Sequence, residues 1–264
     1  MTAVDIAATP TGISILADLD AGRRRAAVPD PTAPGGWRAD PEVKASILAC
    51  FHDRETVAWD LGGALRFRDR VGLPVKDLLA GPWRVVPGGT SVRAGVYLGP
   101  GVVIMPPSFV NAGAWIGEET MVDSHVLVGS CAQIGARVHL SAGVSIGGVL
   151  EPAGARPVIV EDGAFVGAGS SLLEGVLVGE GAVIGAGVVL TGTSRLYDLV
   201  RGRVLTGTAA APLVVPAGAV VVPGSRTLGG DFAAANGLSV SVALLVKDRD
   251  TGTDARVALE DALR

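Results

Sequence analysis

The feature that most constrains this chain is an aliphatic residue recurring at every sixth position from Val92: Leu98, Ile104, Val110, Ile116, Val122, Val128, Ile134, Leu140 and Ile146 follow without exception. The count then skips fourteen residues and resumes at Val160, Val166, Leu172, Val178, Ile184 and Leu190. A period of six suits neither an α-helix nor a hairpin array, because the first repeats every 3.6 residues and the second every two. It suits a solenoid of triangular cross-section, in which three short strands complete a coil of eighteen residues and equivalent side chains stack from coil to coil. With strands about 4.8 Å apart, the sixteen repeats predict a little over five coils and a prism about 25 Å long. Each inward aliphatic residue is expected to contribute about 1.5–3 kcal/mol by burial. Gly follows many of them, as at Gly99, Gly117, Gly129, Gly135, Gly147, Gly167, Gly179 and Gly185, and is read as easing the change of direction. A small residue two positions earlier, as at Ala114, Ala132, Ala164 and Ala182, is read as a demand of crowding inside the corner.

Composition agrees. Aromatic residues supply 4% of the chain against 38 glycines, so the core is built from small and β-branched side chains. A net charge of −4 without a Lys/Arg block excludes nucleic acid or an anionic membrane as the main partner and favours a small molecule. Only Cys50 and Cys131 occur, which argues against a disulfide framework and for a reducing compartment. Residues 1–20 lack a basic start followed by an apolar run, and the most apolar segment, 212–224, is broken by Pro216 and Gly218, so a cytoplasmic protein is expected.

Residues 1–36 read as a short helix near 13–19 followed by a mobile link over 23–36, where little function is expected. Residues 37–90 read as a small α/β domain, with a helix starting at Asp40 and Pro41, a strand over 56–61 and a helix over 75–79. The solenoid spans 91–196, and a C-terminal β/α extension covers 197–264. The interruption at 147–159, carrying Glu151, Pro152 and Pro157, must leave the prism as a loop, and loops on rigid scaffolds carry binding groups. A purely mechanical rod would have the same repeat, so function has to come from such departures.

The strings TMVD at 120–123, GSCAQIG at 129–135, VHLSAGVSIGGVLEP at 138–152 and PVIVED at 157–162 carry a sharper signal. RVVP at 84–87, VRAGVYL at 92–98, PSFVNAGAWI at 107–116, SRLYD at 194–198 and PAGAVVVPGS at 216–225 extend it. From about Trp37 onward the chain resembles the tetrahydrodipicolinate N-succinyltransferase family of hexapeptide-repeat acyltransferases. The resemblance implies a mainly β fold, a left-handed parallel β-helix, although general crossover rules favour the right hand. It also implies a homotrimer with active sites between subunits, and succinyl transfer from succinyl-CoA to the amine of a ring-opened dicarboxylate in lysine and diaminopimelate synthesis. Arg84 and Asp123 are then the substrate-binding positions; Arg93 and Asn111, within matching strings, are added as candidates.

The chain departs from that family at two places. Ser171 stands where the succinyltransferases usually carry an acid three residues before the Glu of an EG pair, here Glu174–Gly175. The related N-acetyltransferases lack that acid too, so acetyl-CoA stays open beside succinyl-CoA, as do a related amino acid as acceptor and a non-catalytic homologue. Ser124–His125 follows Asp123 where Thr–Trp is usual.

Asp123 directly follows the inward Val122, so its carboxylate can point outward and steer or take the proton of an attacking amine; a turn-stabilising Asp is the alternative. Arg84 otherwise reads as a surface arginine paired with an acid. His125 is a candidate general base, although an exposed or interface imidazole is the commoner explanation. His139 reads as structural, and Cys131 as a small packed residue. His125 and His139 are fourteen residues apart and cannot form one ladder, so no metal is expected. Coenzyme A is expected along the outside of the last coils, at peptide groups of Gly148, Gly167, Ala168, Gly185 and Ala186, with Lys247, Arg226 or Arg249 for its phosphate. N–H groups near Gly148 or Ser130 are candidates for the oxyanion. The mechanism expected is direct attack in a ternary complex without an acyl-enzyme.

Overall fold

The computed structural model describes residues 10–52, 54–61, 65–250 and 252–253. Its centre is the coil anticipated from the period of six: two-residue strands stacked in parallel, each pairing with the strand one coil above and below. The result is a left-handed parallel β-helix of triangular section. Three faces follow in chain order. Face 1 carries the outward ladder Arg84, Val103, Met121, His139, Phe165, Val183 and Val220. Face 2 carries Ser91, Phe109, Leu127, Ser145, Ser171 and Val189. Face 3 carries Tyr97, Trp115, Gln133, Ile159, Leu177 and Val214.

The residue after each outward one turns inward, and the sixteen counted from Val92 to Leu190 are all buried in one core cluster. Ala114, Ala132, Ala164 and Ala182 fill the corners, as anticipated. Three polar corner residues do more. Ser108, Thr120 and Ser170 each donate their hydroxyl to a carbonyl fifteen residues on, at Asp123, Gly135 and Gly185, and accept the N–H eighteen residues on, at Val126, Val138 and Val188. Each hydroxyl thus brackets two successive coils.

The glycines that follow the aliphatic residues have a different reason from the one anticipated. None of those eight takes a left-handed backbone; the turn itself falls two residues later, at positions such as Gly101, Gly181 and Gly187, with φ of +63° to +73°. Directly after the aliphatic residue the next coil lies too close for a Cβ, which at Gly117 would stand 2.5 Å from Gly135 C and at Gly167 2.5 Å from Ala186 N.

Helix α1 (Pro10–Asp20) and helix α2 (Pro41–His52) pack together over the edge between faces 2 and 3, with Leu16, Ile47 and Cys50 in a second cluster against Ala112 and Cys131. An antiparallel hairpin pairs Thr56–Leu61 with Leu65–Arg70. The helix expected over residues 75–79 is absent: Val75 forms an antiparallel bridge to Arg93, and Pro74 and Lys76 bond the backbone of Ala94 and Val92. This pairing ties the segment to the first coil, and Pro74 and Pro82 leave little room for a helical turn.

Residues 23–36, expected to be a mobile link, instead strap face 3. Ala27–Pro29 pairs antiparallel with Trp37–Ala39, and the guanidinium of Arg25 lies 3.9 Å from the Trp115 ring centre while bonding Gln133 at 3.0 Å. Burial pushes the Arg25 pKa down to about 10.

The loop at 147–158 leaves the prism and is pinned at both ends. The ammonium of fully buried Lys44 bonds the carbonyls of Pro152 and Ala155, and Arg156 donates to the carbonyls of Gly175, Pro212 and Pro34. At the C-terminal end, Ala219–Thr227 and Ser239–Asp248 form a long antiparallel hairpin, with the short helix Asp231–Ala235 between them. Among the described residues no helix is long and apolar enough to cross a membrane.

Candidate active site

The edge between faces 1 and 2 is the barest part of the prism. Its left-handed turn position is held by His125, Gly143, Gly169 and Gly187 on successive coils, with φ of +62°, +72°, +69° and +72°. A Cβ at Gly169 or Gly187 would meet nothing within 4 Å. Ala142, Ala168 and Ala186 precede the glycines and are exposed. Above His125, then, the edge is an exposed strip of glycine and alanine.

Asp123 stands at the lower end of that wall, two residues before His125. Its carboxylate accepts the N–H of Ser124 at 2.6 Å, so part of its role is to hold the turn, and its own carbonyl is fixed by Ser108 at 2.9 Å. Half-buried, it keeps a second carboxylate oxygen for a ligand. His125 is exposed on the same turn. Four other non-glycine residues, Glu119, Cys131, Arg137 and Glu174, also take positive φ, so the backbone of His125 alone does not mark it as functional.

At the upper end of the same edge lies a cleft of about 510 Å³ between the last coil and the C-terminal hairpin. Gly187, Val189, Tyr197 and Pro223 line it, and the cations Arg195 and Arg226 open into it. Neither arginine forms an ion pair among the described residues. Three rungs separate His125 from Gly187, about 14 Å at strand spacing. A carboxylate at one end and a cationic cleft at the other thus lie along one edge of the prism.

The sequence-derived candidates divide between two edges. Asp123, His125, Gly167, Ala168, Gly185 and Ala186 share the edge of faces 1 and 2. Arg93, Asn111, Ser130 and Gly148 fall on the edge of faces 2 and 3, across the full width of face 2. There Arg93 bonds Asp69 at 2.9 Å, with its Nε and Nη1 buried and without a hydrogen-bond partner among the described residues, and Asn111 caps the N–H of Ala112. Gly148 packs so closely on Ser130 that a Cβ would lie 2.8 Å from its nitrogen. Arg84 begins face 1 and is exposed.

The backbone groups expected to bind a ligand are partly occupied. Gly167 and Gly185 donate their N–H groups to Ile184 and Val221, and the Ala168 carbonyl accepts from Gly187. Lys247 is held by Asp250 at 2.8 Å and does not line the cleft, and Arg249 donates to the carbonyls of Gly163 and Gly181. Only Arg226 of the three expected cations reaches the cleft. Arg195 was missed because it sits within SRLYD, where nothing in the sequence distinguishes a cleft-facing arginine from a surface one. His139 lies on face 1 with its ring 4.9 Å from that of Phe165.

The family described as "Hexapeptide repeat of succinyl-transferase" matches residues 157–192. The chain is 42% identical, over 95% of its length and 88% of the relative's, to a 2,3,4,5-tetrahydropyridine-2,6-dicarboxylate N-succinyltransferase of Aromatoleum aromaticum. It is 41% identical to the protein of the same name from Polynucleobacter asymbioticus, over 95% of this chain and 88% of that one. A solved Campylobacter jejuni structure described as a 2,3,4,5-tetrahydropyridine-2-carboxylate N-succinyltransferase aligns over 62% of this chain and 42% of its own, at 21% identity and a TM-score of 0.45. Repeats and relatives together define a hexapeptide-repeat acyltransferase. Within that class, the chain belongs to the 2,3,4,5-tetrahydropyridine-2,6-dicarboxylate N-succinyltransferase family.

Proposed function

We propose that this protein transfers the succinyl group of succinyl-CoA to the amine of ring-opened tetrahydropyridine-2,6-dicarboxylate, a step of diaminopimelate and lysine synthesis. The observation that carries the reading is that Asp123 and the cationic cleft lie along one edge of the prism, which glycine and alanine leave bare between them. Coenzyme A fits it in one direction: phosphates at Arg195 and Arg226, the thin pantetheine arm along Gly187, Gly169 and Gly143, and the thioester near His125 and Asp123. The neutral amine attacks the thioester carbon, an N–C bond forms as the C–S bond breaks, the Asp123 carboxylate receives or steers the amine's proton, and the departing thiolate is protonated from solvent. His125 assists, and Arg84 holds an acceptor carboxylate.

The reading includes a homotrimer, because Asp123 and His125 lie a face apart from Arg93, Asn111 and Gly148 within one chain; a neighbouring copy would bring the two edges together. Exposed Leu127 and Val189 on face 2 offer apolar surface for that contact. Two buried cysteines that form no disulfide suit a cytoplasmic, reducing setting. The test is release of free thiol from succinyl-CoA with and without the acceptor. Acceptor-dependent release is expected, without a burst of acyl-enzyme; no release above the uncatalysed rate refutes the reading.

A further inference from the structure

Face 2 borders the edge that runs from Asp123 to the cleft, and its outward ladder changes character along that edge. Rung by rung, the turn residue and the outward side chain two positions later read His125 and Leu127, Gly143 and Ser145, Gly169 and Ser171, Gly187 and Val189. Two hydroxyls on adjacent rungs thus sit between two apolar rungs. Ser145 and Ser171 are direct register partners, about 4.8 Å apart at strand spacing. Both are half-buried, and neither hydroxyl has a hydrogen-bond partner among the described residues. This contrasts with Ser108, whose hydroxyl meets the carbonyls of Met105 and Asp123 and the N–H of Val126, and with Ser170, whose hydroxyl is used twice within the fold. No acidic side chain stands on the outward ladder of face 2 from Phe109 to Val189.

A pair of uncommitted hydroxyl donors on a face without negative charge is suited to an anionic group. A short neutral acyl chain would gain nothing from them, and a carboxylate would take one hydrogen bond from each. We propose that Ser145 and Ser171 select the acyl donor by receiving the terminal carboxylate of its acyl group. The inference rests on the donor groove proposed above and adds which side chains read the donor. It also gives Ser171 a positive role: an acid there would repel the same carboxylate.

Binding and turnover separate the two claims. Turnover tests the proposed reaction; calorimetric binding of succinyl-CoA, acetyl-CoA and free coenzyme A to the full-length protein tests the selector, whether or not the acceptor is correctly identified. The wild type is expected to bind succinyl-CoA more tightly than acetyl-CoA. Ser145→Ala and Ser171→Ala should each weaken succinyl-CoA binding about five- to twentyfold, with acetyl-CoA and free coenzyme A within twofold. Ser171→Glu should weaken succinyl-CoA further than Ser171→Ala does. Both side chains point outward, so none of these changes disturbs the core. Equal affinity of the wild type for the two thioesters, or equal losses for both donors in the alanine variants, overturns the proposal.

Discussion

Ser108 Oγ donates to the main-chain carbonyl of Asp123 at 2.9 Å and accepts the N–H of Val126 at 3.2 Å, so one buried hydroxyl fixes both sides of the turn that carries Asp123 and His125. Thr120 makes the same bracket at the edge between faces 3 and 1, far from the groove. The pair allows a controlled comparison. Ser108→Ala and Thr120→Val each leave a buried N–H and carbonyl short of a partner, and each should cost about 1–3 kcal/mol, seen as a lowered Tm. Only Ser108→Ala should also reduce turnover, because only its bracket holds the site. Equal turnover in the two variants would show that the turn at Asp123 does not need Ser108.

Asp123→Asn keeps an oxygen for the Ser124 N–H, so the turn should survive while the carboxylate is lost. Turnover should fall about 10²- to 10⁴-fold, with Tm within a few degrees of the wild type. A variant retaining most of its activity would reduce Asp123 to its structural role.

His125 permits a test in which stability and activity move apart. Its φ of +62° is the backbone that Gly143, Gly169 and Gly187 supply on the coils above. His125→Gly should therefore raise stability by about 1 kcal/mol, measured by urea unfolding. His125→Gln keeps a side chain and removes the imidazole. Unchanged turnover of His125→Gln between about pH 6 and 9 takes the imidazole out of the proton path.

Arg195→Gln and Arg226→Gln should each raise the KM for the acyl-CoA about tenfold and leave kcat unchanged, with the difference shrinking at high salt. A dephospho-CoA thioester, lacking the 3′-phosphate, discriminates further. If either arginine binds that phosphate, its substitution should have no effect with the dephospho donor.

The period of six made the coil, its core residues and the loop at 147–158 legible, because burial in a solenoid repeats and so leaves a repeating trace. The place of Asp123 at the edge of faces 1 and 2 was legible because it directly follows an inward residue. The two arginines of the cleft were less so: Arg226 lies in the first strand of the hairpin and Arg195 well before it, and only folding of 219–248 onto the last coil brings them together. The strap over face 3 was illegible for a related reason. Arg25 and Trp37 lie in a Pro- and Gly-rich segment with no period, and their order comes from Gln133, Trp115 and Glu161 about a hundred residues away. The bracket serines were hidden because Ser108 and Ser145 look alike in sequence, although one is buried with its hydroxyl bonded within the fold and the other has an uncommitted hydroxyl.

Cys131 makes an alkaline prediction. Its fully buried thiol lies under α2, and burial pushes its pKa up to about 12, partly offset by the Lys44 ammonium. The folded protein keeps this proton where the unfolded chain, with an ordinary value of 9.0, releases it. Its contribution to stability is therefore complete below pH 9 and is lost as pH rises toward 12. Burial of Lys44 acts with the opposite sign, since its lowered pKa lets the folded state release a proton that the unfolded chain still holds below 10.5. Comparing Cys131→Ala with the wild type separates the two, because Lys44 is present in both. The wild type should be the more stable at pH 8, and its advantage should shrink by about 1.4 kcal/mol by pH 10, measured by urea unfolding. A constant difference over that range would mean that the thiol is not sealed from solvent beneath α2. The same seal predicts no reaction of Cys131 with a thiol reagent at pH 8 in the folded protein and prompt reaction once urea unfolds it.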